Sequence, residues 1–222
     1  MTTSKPPSAT SRNYVQVEVS AGGNPAVERN ETGYALRFRP GDFAASSWDH
    51  PAVAPSRQKF SATGSGWVEY EVALPDGVDV TAIDGLELRW EAGARAGRAK
   101  IDWPSVIQGF NYPQTEVERS SPSDVEVSIN GVHIGRAHLP DDPADARGAL
   151  SHHNGIDPGS YGFLCDATAD AGTMVAIKAT LAAGEPLRVR FTVPEESGGG
   201  LALYGERAGR YPVAPTLLVM RA

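Results

Sequence analysis

Two adjacent histidines, His152 and His153, sit in "LSHHNGIDPGSYGFL", Leu150 to Leu164, beside Asn154-Gly155, Asp157-Pro158 and Gly159-Ser160. Three turn-forming pairs in so short a run place the histidines on a loop rather than a helix. Imidazoles there could hold a metal, move protons or hydrogen-bond a polar ligand. Metal pairs usually stand two apart on a strand or a turn apart on a helix, so neighbouring rings suit a shared ion poorly, even with His133 and His138 upstream. Nucleophilic catalysis needs a Ser or Cys beside an oriented base, and Ser151 next to His152 does not supply that arrangement. The remaining chemistry is polar readout. Asn154, Asp157 and Tyr161 join the two histidines in a set that mixes donors and acceptors, as the hydroxyl edges of a sugar require.

Sugars also present flat apolar faces, which aromatic rings cover. Trp103 and Tyr112 lie in the irregular stretch "IDWPSVIQGFNYPQTEVERSSPS", Ile101 to Ser123, and Trp48 stands with Asp49 and His50 in "AASSWDHPAVAPSRQ", Ala44 to Gln58. Long irregular segments rich in aromatics are usually functional. The candidate ligand-binding residues are therefore Trp103, Tyr112, His152, His153, Asn154, Asp157, Tyr161 and Trp48. The competing reading of each is packing or loop anchoring. For Trp67 and Trp90, which fall in alternating runs, a core position is expected.

Other chemistries find less support. Glycoside hydrolysis needs two carboxylates at a set separation, and none of the 27 Asp and Glu residues is singled out by its context. Asp141, Asp142 and Asp145, or Asp166 with Asp170, could offer oxygens to calcium but lack the EF-hand pattern. No Gly-x-Ser-x-Gly elbow, P-loop or Gly-x-Gly-x-x-Gly helix start occurs. A polysaccharide lyase would need a base near a cation, for which His153, Tyr161 and Arg147 are the available types.

The elements that position these residues read as strands. Gly and Pro number 24 and 17 among 222 residues and are spread as punctuation, which favours many short strands. Alternation of apolar and polar residues recurs in "YVQVEV", "YALRFR", "WVEYEVAL", "LELRW" and "LRVRFTV". "LALYG" and "TLLVM" read as closing strands. In "VEVSINGVHIG", Val125 to Gly135, Asn130-Gly131 predicts a two-residue type I′ hairpin. That register pairs Ile129 with Val132 and Val127 with Ile134, and puts Ser128 and His133 on the opposite face. The count is about nine or ten strands with no long helix, the one possible helical turn being "DDPADARGAL", Asp141 to Leu150. The expected fold is an all-β antiparallel sandwich, a jelly-roll. Residues 1–12 read as a disordered lead-in and residues 13–222 as one domain.

Charge and cysteine usage narrow the partners. A net charge of −7 argues against nucleic acid, whose binding runs on clustered positive charge. No apolar run approaches the length of a membrane span. The single cysteine, Cys165, excludes an internal disulfide and a Cys-based zinc site, and is expected to be a small buried apolar residue.

Two runs carry a family resemblance. "SPSDVEVSINGVHIGRAHLPDDPADARGALSHHNGIDPGSYGFL", Ser121 to Leu164, and "GGLALYGERAGRYPVAPTLLV", Gly199 to Val219, resemble the galactose-binding-like β-sandwich modules of bacterial glycoside hydrolases, including family 2 enzymes of the β-galactosidase type. Together they cover under a third of the chain. The resemblance implies a non-catalytic carbohydrate-binding module that holds a polysaccharide or oligosaccharide beside a covalently linked glycoside hydrolase catalytic domain. It implies no required cofactor but a possible structural calcium ion, and a secreted or cell-surface setting if the parent enzyme is exported. An accessory domain that packs on the enzyme without touching sugar is the alternative, and a jelly-roll lyase or hydrolase the next.

Overall fold

A computed structural model describes residues 27–30, 32–95, 122–140, 162–197, 199–209, 211 and 213–221. The described residues form an all-β sandwich of two antiparallel sheets, as expected. The strands are β1 (Val27–Asn30), β2 (Gly33–Arg37), β3 (Ala45–Ser46), β4 (Ala52–Val53), β5 (Lys59–Ala62), β6 (Gly66–Val72), β7 (Ile83–Gly93), β8 (Ser123–Ile129), β9 (Val132–Leu139), β10 (Phe163–Thr168), β11 (Leu187–Val193), β12 (Leu201–Tyr204) and β13 (Thr216–Arg221). One helix, α1 (Ala171–Ala182), precedes β11.

The smaller sheet runs β3-β6-β11-β8-β9. Its strands β8 and β11 alternate strictly between buried and half-buried residues, so one face fills the core and the other meets solvent. Val68, Tyr70, Val72, Val125, Val127, Ile129, Val189, Phe191 and Val193 form that inner face. The larger sheet runs β1-β2-β13-β7-β12-β5-β4, with β10 on the other edge of β7. Strand β7 meets β13 over Ile83 to Arg89 and then β12 over Glu91 to Gly93, while β10 pairs Glu87 to Ala92. One long strand thus collects three partners. Strands β2, β5 and β12 are almost wholly buried, so their alternation carries no solvent face. Trp90, Leu88 and Leu86 are fully buried, as the alternation predicted.

The Asn130-Gly131 hairpin is present, with φ of 50° and 76° at its two corner residues. Ile129 pairs with Val132 and Ser128 with His133, but Val127 pairs with Gly135 and not with Ile134. A bulge shifts the register there, and both Ile134 and Gly135 turn toward the interior. Gly135 faces Ala167 of β10 so closely that a Cβ on it would stand 2.8 Å from the alanine methyl. The bulge therefore lets the edge strands β9 and β10 approach.

Helix α1 corrects the expectation of an all-strand body. Asp170 caps its start, accepting the Thr173 N–H at 2.7 Å. Its end is a Schellman turn: the Gly184 N–H bonds to the Leu181 carbonyl and the Glu185 N–H to the Thr180 carbonyl, with Gly184 at φ 84°. Met174, Ile177 and Leu181 enter the core against β7 and β9. The outward residues are also small or apolar, with Val175 71% exposed, which hides the helical period in the sequence.

Trp67 is the second correction. It lies on the outer face of β6 with Glu69, not in the core, and the Arg190 guanidinium stacks 4.0 Å from its ring centre. The run "WVEYEVAL" buries Val68, Tyr70 and Val72, so parity alone assigns Trp67 to the opposite face.

Candidate functional site

Strand β2 ends at Arg37, and the chain then crosses the rim of the sandwich before β3. Buried Tyr70 of β6 anchors this crossing: its hydroxyl donates to the Pro40 carbonyl at 2.7 Å, and its ring packs on Phe38 at 4.6 Å. Burial and the nearby Asp42 charge push the Tyr70 hydroxyl well above the ordinary tyrosine value. Asp42 in turn joins two segments. It accepts from Arg39 at 2.6 Å and from Arg57, which sits in the left-handed region at φ 58°. Burial opposes the Asp42 charge, but these two guanidiniums outweigh it and hold the carboxyl below the usual carboxylate range.

The rim so built is one wall of a half-open cleft of about 600 Å³. Arg37 ends β2, Phe38, Arg39 and Asp42 come from the β2–β3 crossing, Ser56 and Gln58 from the turn before β5, and Glu71 from β6. Glu206, Arg207 and Ala214 come from the β12–β13 loop. Around the cleft, Arg37 pairs with Glu28 at 2.9 Å, Arg188 with Glu71 at 3.7 Å and Arg207 with Glu206 at 3.6 Å. Planar guanidiniums, carboxylates and an amide beside one aromatic ring make a surface suited to vicinal hydroxyls.

The β12–β13 loop is held from behind by Glu91. This carboxylate is fully buried on β7. One oxygen accepts the Gly162 N–H at 2.7 Å and the other the Tyr211 N–H at 2.9 Å. Gly209 must lack a side chain here, since a Cβ would lie 2.0 Å from a Glu91 oxygen. Glu91 thus fixes both the loop that lines the cleft and the point where the chain enters β10.

Of the residues singled out from the sequence, Trp48 is described. Its ring nitrogen donates to the Thr63 carbonyl at 3.1 Å, and its ring packs against Phe60 at 5.8 Å and against Gly66. It anchors the β3–β4 segment and is not part of the cleft lining. Trp103, Tyr112, His152, His153, Asn154, Asp157 and Tyr161 lie outside the described residues, as do Arg147, the Asp141 cluster and the expected lead-in. His138 bonds to Asp124 at 2.9 Å on the solvent face of the smaller sheet, and Arg136 joins the same carboxylate at 2.6 Å. Hydrogen bonds from His138 and Arg136 hold Asp124 below the ordinary aspartate value. Among the described residues no group of three or more His, Cys, Asp or Glu is placed to hold a metal ion. Asp170, one of the suggested calcium ligands, serves as the α1 cap.

Cys165 is half-buried opposite Trp90, with its sulfur 3.5 Å from the Phe163 carbonyl oxygen. Burial first, then the charges of Asp166 and Glu91, push its thiol up to about 12. Such a thiol is protonated at neutral pH and is a poor nucleophile.

The cleft residues were not found in the sequence. They come from positions 37–42, 56–58, 71, 206–207 and 214, and no local motif links them. Only the fold brings them together.

No family model matches the chain, and no curated protein matches it. Among solved structures it is similar to the crystal structure of the Agl-KA catalytic domain, at 9% identity and a TM-score of 0.38. The match covers 85% of this chain and 28% of that one, so the chain spans little more than a quarter of that structure's length. A likeness this slight transfers no residue and no chemistry.

Proposed function

We propose that this chain is a non-catalytic carbohydrate-binding sandwich serving a linked glycoside hydrolase, with the rim cleft as its sugar site. The cleft carries the reading. Its Arg39 and Arg207 offer forked donors, its Asp42, Glu71 and Glu206 offer acceptors, and Phe38 gives an apolar face. That mixture matches a ligand whose every edge group both donates and accepts. The resemblance of the hairpin and closing runs to glycoside hydrolase accessory modules points the same way. Weak monovalent binding suffices for such a role, because tethering raises the local concentration of the attached enzyme.

Affinity electrophoresis through gels containing single polysaccharides tests it. At least one glycan is expected to retard the protein. Arg39→Ala and Arg207→Ala, both exposed and remote from the core, are expected to weaken retention by about tenfold each while staying folded, with Arg207→Ala melting as the parent does and Arg39→Ala only slightly lower. Unchanged mobility of the parent across gluco-, galacto-, manno- and xylo-configured polymers would overturn the reading and favour an accessory domain that only packs on its enzyme.

A further inference from the structure

Gln58 lines the cleft and is 7% exposed. Its side-chain carbonyl oxygen is buried and accepts no hydrogen bond from the described residues. The residue itself is firmly placed: its backbone carbonyl takes the Gly205 N–H at 2.7 Å. Gly205 approaches so closely that a Cβ there would lie 2.2 Å from the amide oxygen. The amide oxygen is thus packed toward Gly205 and meets no donor among the described residues. A buried acceptor left in this way is unfavourable, and methionine or leucine would fill the same space without the loss. A ligand that brings a donor removes the deficit. Because the oxygen makes no protein hydrogen bond, swinging the amide from Gly205 toward the cleft breaks none at that atom.

The charge around it is balanced. Arg37, Arg39 and Arg207 line it together with Asp42, Glu71 and Glu206. A carboxylate or phosphate group would gain nothing net from a balanced lining and carries no proton for Gln58. A hydroxyl supplies the proton and also accepts from the arginines. We infer that the cleft selects an uncharged, hydroxyl-rich glycan over an acidic one, and that Gln58 is the specificity-determining acceptor of one ligand hydroxyl. This rests on the carbohydrate reading above.

Titration calorimetry with cello-, manno-, galacto- and xylo-oligosaccharides and with their uronic-acid counterparts tests it, together with melting curves of Gln58→Met. The parent is expected to bind a neutral oligosaccharide at least about tenfold tighter than the matching uronate. Gln58→Met is expected to melt no lower than the parent yet bind about fivefold to tenfold more weakly. Should that variant fail to fold, a monodeoxy series of the same oligosaccharide on the parent protein replaces it, with one hydroxyl expected to account for a similar loss. Binding by Gln58→Met equal to the parent, a deoxy series without any sensitive position, or tighter binding of uronates would overturn the assignment while leaving the sugar site standing. A parent that binds none of these ligands removes the carbohydrate reading and this inference with it.

Discussion

Asn130 and Arg188 exchange two hydrogen bonds. The Asn130 N–H donates to the Arg188 carbonyl at 2.9 Å, and the Asn130 side-chain oxygen accepts the Arg188 N–H at 2.7 Å. Its amide nitrogen then donates to the Thr180 hydroxyl at 2.7 Å. One turn residue therefore ties the β8–β9 hairpin to β11 and to α1, while holding a left-handed backbone at φ 50°. Asn130→Ala loses both side-chain bonds and places a Cβ-bearing residue without local compensation in that region. A loss of about 2–4 kcal/mol is expected. Asn130→Gly loses the bonds but relieves the backbone, so about 1–3 kcal/mol is expected. Urea unfolding should rank the midpoints parent, Gly, Ala, with equal slopes.

Glu91 should behave as the pin of the cleft. Glu91→Gln exchanges one acceptor oxygen for a donor, so either the Gly162 or the Tyr211 N–H loses its partner. About 2–3 kcal/mol of stability should go with it. Glutamine keeps the volume, so the fold should survive. Because Glu206, Arg207 and Ala214 sit on the loop that Glu91 holds, ligand retention should fall further than in a variant of equal stability elsewhere, such as Asn130→Gly. Gly209→Ala should reproduce the phenotype by pushing a methyl against the same carboxylate.

The sandwich was legible where one face is wet. Strands β6, β8 and β11 alternate because their outer residues meet solvent, and the Asn130-Gly131 turn announced its own geometry. Strands β5 and β10, "KFSA" and "FLCDAT", lack such contrast. Helix α1 was hidden by its alanines, although Asp170 and Gly184 stood at the cap positions throughout. The bulge at Ile134 could not be read from a two-residue period, because it answers to Ala167 across the sandwich. The cleft was illegible for a related reason. Its residues are joined by topology alone, and the sequence drew attention to loop clusters outside the described residues and to Trp48, which anchors its own segment.

Trp67 gives an optical test of the outer sheet face. Arg190 both stacks on the indole and bonds Glu69 at 2.9 Å. Arg190→Ala should free the ring, red-shift and quench part of the tryptophan emission, and cost only about 0.5–1 kcal/mol, since the pair is half-exposed. Arg190→Lys keeps the charge but loses the flat stack, so it should reproduce most of the spectral change. An emission spectrum unmoved by Arg190→Ala would mean that the ring is already solvent-bathed in solution.

The pH dependence of stability should be a plateau with two differently caused edges. On the acid side, Asp42 and Asp124 have folded values below the ordinary 3.8, the first through Arg57 and Arg39 overcoming burial, the second through His138 and Arg136. As pH falls, the unfolded chain takes up these protons first, so the stabilisation is present above about pH 4 and is lost as pH drops through the lowered folded values. Both carboxylates are partly in solvent, so their joint contribution is on the order of 1 kcal/mol. On the alkaline side the order reverses. The Cys165 thiol is raised from 9.0 to about 12, and the buried Tyr70 hydroxyl is raised well above 10.0. Here the unfolded chain releases protons first, so stability is complete below about pH 9 and declines as pH climbs toward the folded values. The thiol alone should account for a loss on the order of 1 kcal/mol at pH 10. Melting temperatures measured from pH 3 to pH 11 should therefore be level in between and fall at both ends. Cys165→Ala should make the alkaline fall shallower from about pH 9 upward and leave the part that Tyr70 adds above about pH 10. An alkaline edge unchanged by that substitution would place the titrating group elsewhere than at Cys165.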